Sequence, residues 1–298
     1  MAATARFASQ SSPGYDQSGM LYIATVHYRS PRWIDIQAKY LRRHISVPFQ
    51  TWSSIEGIDP SYSASFDRVL EQRGPHPCKL NHLALEICNV AAEDDLIMFL
   101  DGDAFPIADP MPVIDERLGS APLLAVRRAE NLDEPQPHPS FCVTTVGAWR
   151  NLPGDWSLGP TWPAGRRELV SDVGAVLLRT LELSGTPWSQ LLRTNGAKLH
   201  PLLFAVYGDV VYHHGAGFRE KALPRIDRER LIAQQLPRRF FRDAIDRARG
   251  GMDAGVRGGN ERIEQNNRDS QRVFEAIQRD DPTWLALVSG DVVLEPSS

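Results

Sequence analysis

Asp101, Gly102 and Asp103 follow directly on Leu96-Ile97-Met98-Phe99-Leu100, so two carboxylates stand where a short apolar run ends. A carboxylate in apolar surroundings carries a desolvation cost that a divalent cation offsets. Hard ions such as Mg2+ and Mn2+ take oxygen ligands and often bridge to substrate phosphates. The chemistry indicated is a metal acting on a phosphate ester. His213 and His214 offer a further ligand, and they precede Gly215-Ala216-Gly217 and Arg219. Glycines let backbone approach a ligand closely, and an arginine can grip phosphate oxygens as a fork, so metal and Arg219 together would neutralise a departing diphosphate. Asp-x-Asp by itself is a common turn sequence. Its place after an apolar run, and the histidines that could join it, carry the metal reading.

The run Leu96 to Leu100 is too short for a typical helix and suits a strand buried on both faces. In open α/β sheets, ligands bind at the carboxyl ends of such strands. Residues 21–28 are β-rich and end in His27, Tyr28 and Arg29. Ser30-Pro31 then predicts a helix start, with Trp33, Ile36, Tyr40 and Leu41 on one face to about Ile45, and residues 48–52 predict a second strand. From Lys79 to about Ala91 apolar residues recur at helical spacing, leaving Lys79, His82 and Glu86 on the other face, where a solvated surface explains them equally well. This alternation predicts an α/β fold with a mainly parallel central sheet flanked by helices. A helix is expected over 113–118 and a strand over 123–126. Residues 130–166, rich in proline and carrying Phe141, Trp149, Trp156 and Trp162, are expected to form a shaped insertion. An apolar run over 171–178, a helix around 188–193 and a strand over 206–212 close the core. Beyond about residue 220 the chain becomes Arg-rich and amphipathic, broken by Gly250-Gly251 and Gly258-Gly259, which predicts a helical extension with a flexible hinge. The expected organisation is a disordered tail over 1–19, a catalytic domain over 20–220 and the extension over 221–298.

The 298 residues are 42% hydrophobic, enough for a substantial core, and 33 basic against 37 acidic side chains leave a net charge of -4. That balance gives no electrostatic reason to expect nucleic acid as a partner. The three cysteines, Cys78, Cys88 and Cys142, lack metal-ligand spacing and suit a reducing compartment, so a cytoplasmic location is expected. The first nineteen residues lack a basic start followed by an apolar core, and no run approaches the ~18 apolar residues of a membrane span. Any membrane contact would then be peripheral.

In its motif and setting the chain resembles the GT-A glycosyltransferases. Lys79-Leu80-Asn81 through Asp94-Asp95 and on to Asp103 looks like that family's helix, strand and metal loop. His213-His214-Gly215-Ala216-Gly217 looks like its carboxy-terminal metal histidine and glycine turn, so the resemblance spans roughly residues 20–220. It implies a GT-A-like, Rossmann-related sheet with a nucleotide-binding first half and an acceptor-binding second half. It also implies Mn2+ or Mg2+, a nucleotide-diphospho-sugar donor (a UDP- or GDP-sugar), and transfer to a small-molecule, glycan or lipid-linked acceptor. Carried over by position, Asp103 would bind metal directly, Asp101 would contact the ribose or the metal through water, and His214, with His213 as rival, would complete the coordination. His27, Tyr28 and Arg29 would face the nucleotide, and Lys79 and Asn81 would reach its base, ribose or diphosphate. Inverting transfer needs a base, for which Asp172 is the candidate, Asp133 and Glu134 are further options, and a helix cap is the plainer role of Asp172. Two competing activities are a sugar-phosphate nucleotidyltransferase, against which stands the lack of a Gly-rich basic loop after the first strand, and a silent carbohydrate-binding protein.

Overall fold

The computed structural model describes residues 19–131, 133–164, 168–196, 199–200, 202–215 and 252–289. The apolar segment Leu21–Tyr28 forms β1, and α1 (Ile34–His44) returns the chain to β2 (Phe49–Glu56), which pairs with β1 in parallel. A 3-10 turn, Pro60–Ser65, and the short β3 (Arg68–Val69) follow. Pro75 and Pro77 open α2 (His76–Val90), where a missing amide proton costs nothing because the first-turn donors have no helical partner. The continuous apolar run becomes β4 (Leu96–Asp101), which lies parallel to β1. Then come β5 (Ala104–Pro106), α3 (Met111–Leu118) and β6 (Leu123–Val126).

The expected insertion over 130–166 is instead part of the core. Its residues His138–Thr145 form β7, which sits between β4 and β6 and is antiparallel to both, and Val146–Asn151 form α4. β8 (Trp162–Ala164) and β9 (Glu168–Val170) pair with each other, and α5 (Ala175–Ser184) is bounded by two glycines in the left-handed region. Ser189–Leu191, expected as helix, is β10, an edge strand parallel to β6. The strand expected over 206–212 is a tight antiparallel pair, β11 (Ala205–Tyr207) and β12 (Val211–His213).

The seven strands of the main sheet run β10-β6-β7-β4-β1-β2-β3, and a smaller sheet runs β11-β12-β5. Only β7 opposes its neighbours, so the fold is α/β with a mainly parallel sheet, as the alternation predicts. Leu80, Leu83 and Ile87 of α2 pack with Phe99, Trp149 and Trp156 on one face. Leu41, Met98, Ile114 and Phe141 fill the other. A third cluster joins the carboxy-terminal helices α6 (Met252–Gln278) and α7 (Trp284–Ser289) to α1 and the small sheet, through Phe274, Ile277 and Trp284 against Trp33, Tyr40, Phe105 and Tyr212. Gly258 and Gly259, expected as a hinge, lie within α6.

Candidate active site

β4 ends at Asp101, and two residues later the chain enters β5 of the smaller sheet, so Asp101-Gly102-Asp103 is the junction of the two sheets. A Cβ at Gly102 would lie 2.6 Å from the Val26 carbonyl oxygen and 2.8 Å from His27 Nδ1, so only glycine passes this close to β1. The buried Gln37 of α1 fixes the turn. Its Nε2 donates to the carbonyls of Asp101 and Ala104, both at 2.8 Å, while its Oε1 accepts from the Thr25 hydroxyl at 3.2 Å.

β12 lies antiparallel to β5 with His213 opposite Ala104. That register sets the His213 ring beside the aspartates, with Nε2 3.4 Å from Asp103 Oδ1 and 3.7 Å from Asp101 Oδ2. One ligand atom from each of Asp101, Asp103 and His213 falls within 4.8 Å of the others. Burial raises the affinity of Asp101 for its proton, with His76 and His213 opposing. Burial works against a charged His213 ring, but Asp103 and then Asp101 outweigh it and the pKa rises. Asp101 Oδ1 is buried with no hydrogen-bond partner among the described residues, and His76 Nε2 stands 3.5 Å away. Two carboxylates, an imidazole and an unsatisfied buried oxygen suit a hard divalent cation.

His214, the preferred ligand in the sequence, faces elsewhere. Successive side chains of extended backbone point to opposite sides, so only one of the adjacent histidines can face the aspartates. Both ring nitrogens of His214 are engaged, Nδ1 with the Tyr212 hydroxyl at 2.9 Å and Nε2 with Ser270 Oγ of α6 at 2.7 Å. Burial lowers its pKa to about 3, and Trp33 packs against it at 4.5 Å.

The cluster opens on a cavity of about 730 Å3. Of the residues assigned to the nucleotide from the sequence, His27, Tyr28 and Lys79 line it. Lys79, read as equally able to face solvent, is buried, with Nζ 2.5 Å from Glu56 Oε2 and 4.8 Å from the centre of the Tyr28 ring. Two expected contacts are not brought to the cavity. Asn81 is used in a loop, donating to Asp155 Oδ1 at 2.6 Å and accepting from the Trp156 amide at 2.8 Å. Arg29 adopts a left-handed φ of 59° and stacks on Tyr28 at 4.7 Å. Arg219 lies outside the described residues.

Sequence reasoning missed Arg128, the guanidinium that lines the cavity just past β6. It donates to Glu134 Oε2 at 2.6 Å and to Asp172 Oδ2 at 2.8 Å. Burial opposes its charge, yet Glu134 and Asp172 hold it firmly protonated. The signal was available, since Arg127-Arg128 follows the apolar run Leu123–Val126 as Asp101 follows the apolar run Leu96 to Leu100. Asp172 lines the cavity, but both of its oxygens are engaged, Oδ1 by the Val173 amide at 2.8 Å and Oδ2 by Arg128. Asp133 bonds to Arg127 on the exposed side, and Glu134 is buried among Arg128, Asn131 and Gln136. His138, also missed, stands 3.9 Å from Asp101 Oδ2 through an Nδ1 that accepts from the Ser140 amide. Burial keeps its ring neutral, so this contact is not an ion pair.

No protein-family model matches the chain, and no curated protein does. Solved structures resemble parts of it. One is a galactosyltransferase, LgtC, in complex with donor and acceptor sugar analogues, at 13% identity, TM-score 0.31, over 44% of this chain and 59% of that one. Another is the glycosyltransferase GlyE of Streptococcus pneumoniae TIGR4, at 15% identity, TM-score 0.34, over 45% and 36%. A third is a CMP:2-keto-3-deoxy-manno-octonic acid synthetase complexed with CTP, at 12% identity, TM-score 0.37, over 58% and 90%. The chain thus spans less than two thirds of the length of these two glycosyltransferases. The likenesses are partial and distant, and the functional reading rests on the residues of the site.

Proposed function

We propose that the protein transfers a glycosyl group from a nucleotide-diphosphate donor, a UDP- or GDP-sugar, to an acceptor hydroxyl, with Mn2+ or Mg2+ held by Asp101, Asp103 and His213. The observation that carries this reading is the convergence of those three side chains within 4.8 Å at the cavity. When bound, the cation supplies Lewis-acid neutralisation of diphosphate oxygens. The chain's own residues do the rest. Gly102 and Gln37 fix the turn that presents both carboxylates. Tyr28, His76 and Lys79 line the part of the cavity built by β1 and α2, which we assign to the nucleotide. Arg128 offers a fixed guanidinium to anionic oxygens. We assign Asp172 to positioning Arg128, whose guanidinium donates to its Oδ2 at 2.8 Å. Arg219 is retained from the sequence as a candidate partner of the leaving diphosphate. The acceptor class is a small molecule, a glycan or a lipid-linked sugar, and the proposed location is the cytoplasm. No described helix is long and apolar enough to cross a membrane.

The test is incubation with UDP- and GDP-sugars in Mn2+ while following nucleoside diphosphate release. Metal-dependent release that is lost in Asp103→Ala, with the circular dichroism unchanged, is expected. Pyrophosphate release from a nucleoside triphosphate and a sugar phosphate, without turnover of any nucleotide sugar, would make the protein a nucleotidyltransferase instead.

A further inference from the structure

His200 is 2% exposed, lines the cavity and is not used by the proposed chemistry. Its Nδ1 accepts from the backbone amides of Leu202 and Leu203, both at 3.1 Å. A nitrogen whose lone pair faces two donors carries no proton, so in the neutral ring the proton sits on Nε2. Burial, reinforced by Arg193, pushes the pKa down to about 4, so the ring is neutral near pH 7. Nε2 is therefore an N–H donor, and it is buried with no hydrogen-bond partner among the described residues.

Asn131 is the complement. It is 6% exposed and lines the same cavity. Its Nδ2 donates at 3.3 Å to Glu134, a carboxylate already paired with Arg128, and this fixes which end of the amide carries oxygen. Its Oδ1 is likewise buried without a partner. Buried polar atoms left without a hydrogen bond are costly, and of those among the described residues four, on Glu56, Asp101, Asn131 and His200, belong to residues that line this cavity.

We infer that His200 and Asn131 recognise hydroxyl groups of a sugar, His200 Nε2–H donating to one hydroxyl oxygen and Asn131 Oδ1 accepting from a hydroxyl proton. A hydroxyl both donates and accepts, and a sugar brings several. A phosphate or carboxylate could satisfy His200 but would repel Asn131 Oδ1, and an ammonium group would do the reverse. This inference rests on the glycosyl-transfer reading and names which residues meet the sugar.

The experiment is NMR of protein labelled with 15N-histidine, titrated with the methyl glycosides of glucose, galactose, mannose and N-acetylglucosamine and, separately, with UDP and Mn2+. The expected result is a protonated Nε2 and bare Nδ1 for His200 at pH 7, with at least one glycoside shifting the Nε2 resonance to saturation. His200→Asn keeps an oxygen for the Leu202 and Leu203 amides, but its shorter side chain leaves no donor at the position of Nε2. It should bind that glycoside about tenfold more weakly, as loss of one hydrogen bond implies. A bare Nε2, no response to any glycoside, or unchanged glycoside affinity in His200→Asn overturns the inference. If a glycoside shifts His200 but UDP with Mn2+ does not bind, the donor reading fails and sugar recognition stands. If UDP binds and no glycoside acts, sugar recognition alone is overturned.

Discussion

Around Arg128, two carboxylates share a guanidinium that cannot give up its proton, and Glu134 is further supported by Asn131 and Gln136. Around His213, two carboxylates share an imidazole that can lose its proton, and one oxygen of Asp101 has no hydrogen-bond partner. Both groups border one cavity. In the first, the permanent cation makes the charges part of the fold. In the second, the cation is replaceable, which is what a metal site requires, since a histidine ligand must be neutral. Buried acidity alone therefore does not mark a metal site; the nature of its counter-charge does.

The largest effect that can break this contrast is Arg128→Met, which strands Glu134 and Asp172 without their cation. Loss of one partner of a buried pair costs about 3–5 kcal/mol, and a urea melt should show it. Asp103→Asn should leave the urea midpoint nearly unchanged yet lower turnover on the order of a hundredfold, the scale of losing one electrostatic contact to developing charge. If instead Asp103→Asn unfolds the protein and Arg128→Met does not, the assignments are reversed. Gly102→Ala forces a methyl into the Val26 carbonyl and the His27 ring, and a cost of about 1–3 kcal/mol with impaired metal binding is expected. The smallest effect is expected at Asp280, an exposed carboxylate paired with Arg43 at 2.6 Å and Lys39 at 2.9 Å beyond α6. Its hydrogen bonds to Arg43 and Lys39 depress its pKa. Its contribution is therefore present above the unfolded-state value of about 3.9 and is lost as pH falls through the lower folded-state value. Asp280→Asn should lower the melting temperature slightly at pH 7, and by progressively less as the pH falls below about 4.

Much of this arrangement was legible. β4 and its aspartates stood out because a strand buried on both faces must be continuously apolar. β7 was hidden because prolines flank it and its buried Ser140 and Thr144 imitate a polar loop, although both are fully covered. β10 was read as helix because so short a segment cannot display a period. Asp101 and Asp103 were found from local context. The choice of His213 over His214 depends on the β5–β12 register, a long-range pairing that adjacent histidines do not reveal. Arg128 was passed over although, like Asp101, it stands just past a short apolar run. The orphaned atoms of Asn131 and His200 depend on side-chain hydrogen bonds, which no sequence pattern displays.

The central claim is that Asp101, Asp103 and His213 bind a divalent cation that carries a nucleoside diphosphate. Isothermal titration of UDP and GDP into the protein, with Mn2+ and with EDTA, tests it directly. One nucleotide binding only with Mn2+, and not to Asp103→Ala or His213→Ala, while His214→Ala retains the metal requirement, is the predicted result. Nucleotide binding that is equal in EDTA, or metal-dependent binding that survives loss of both Asp103 and His213, would contradict it.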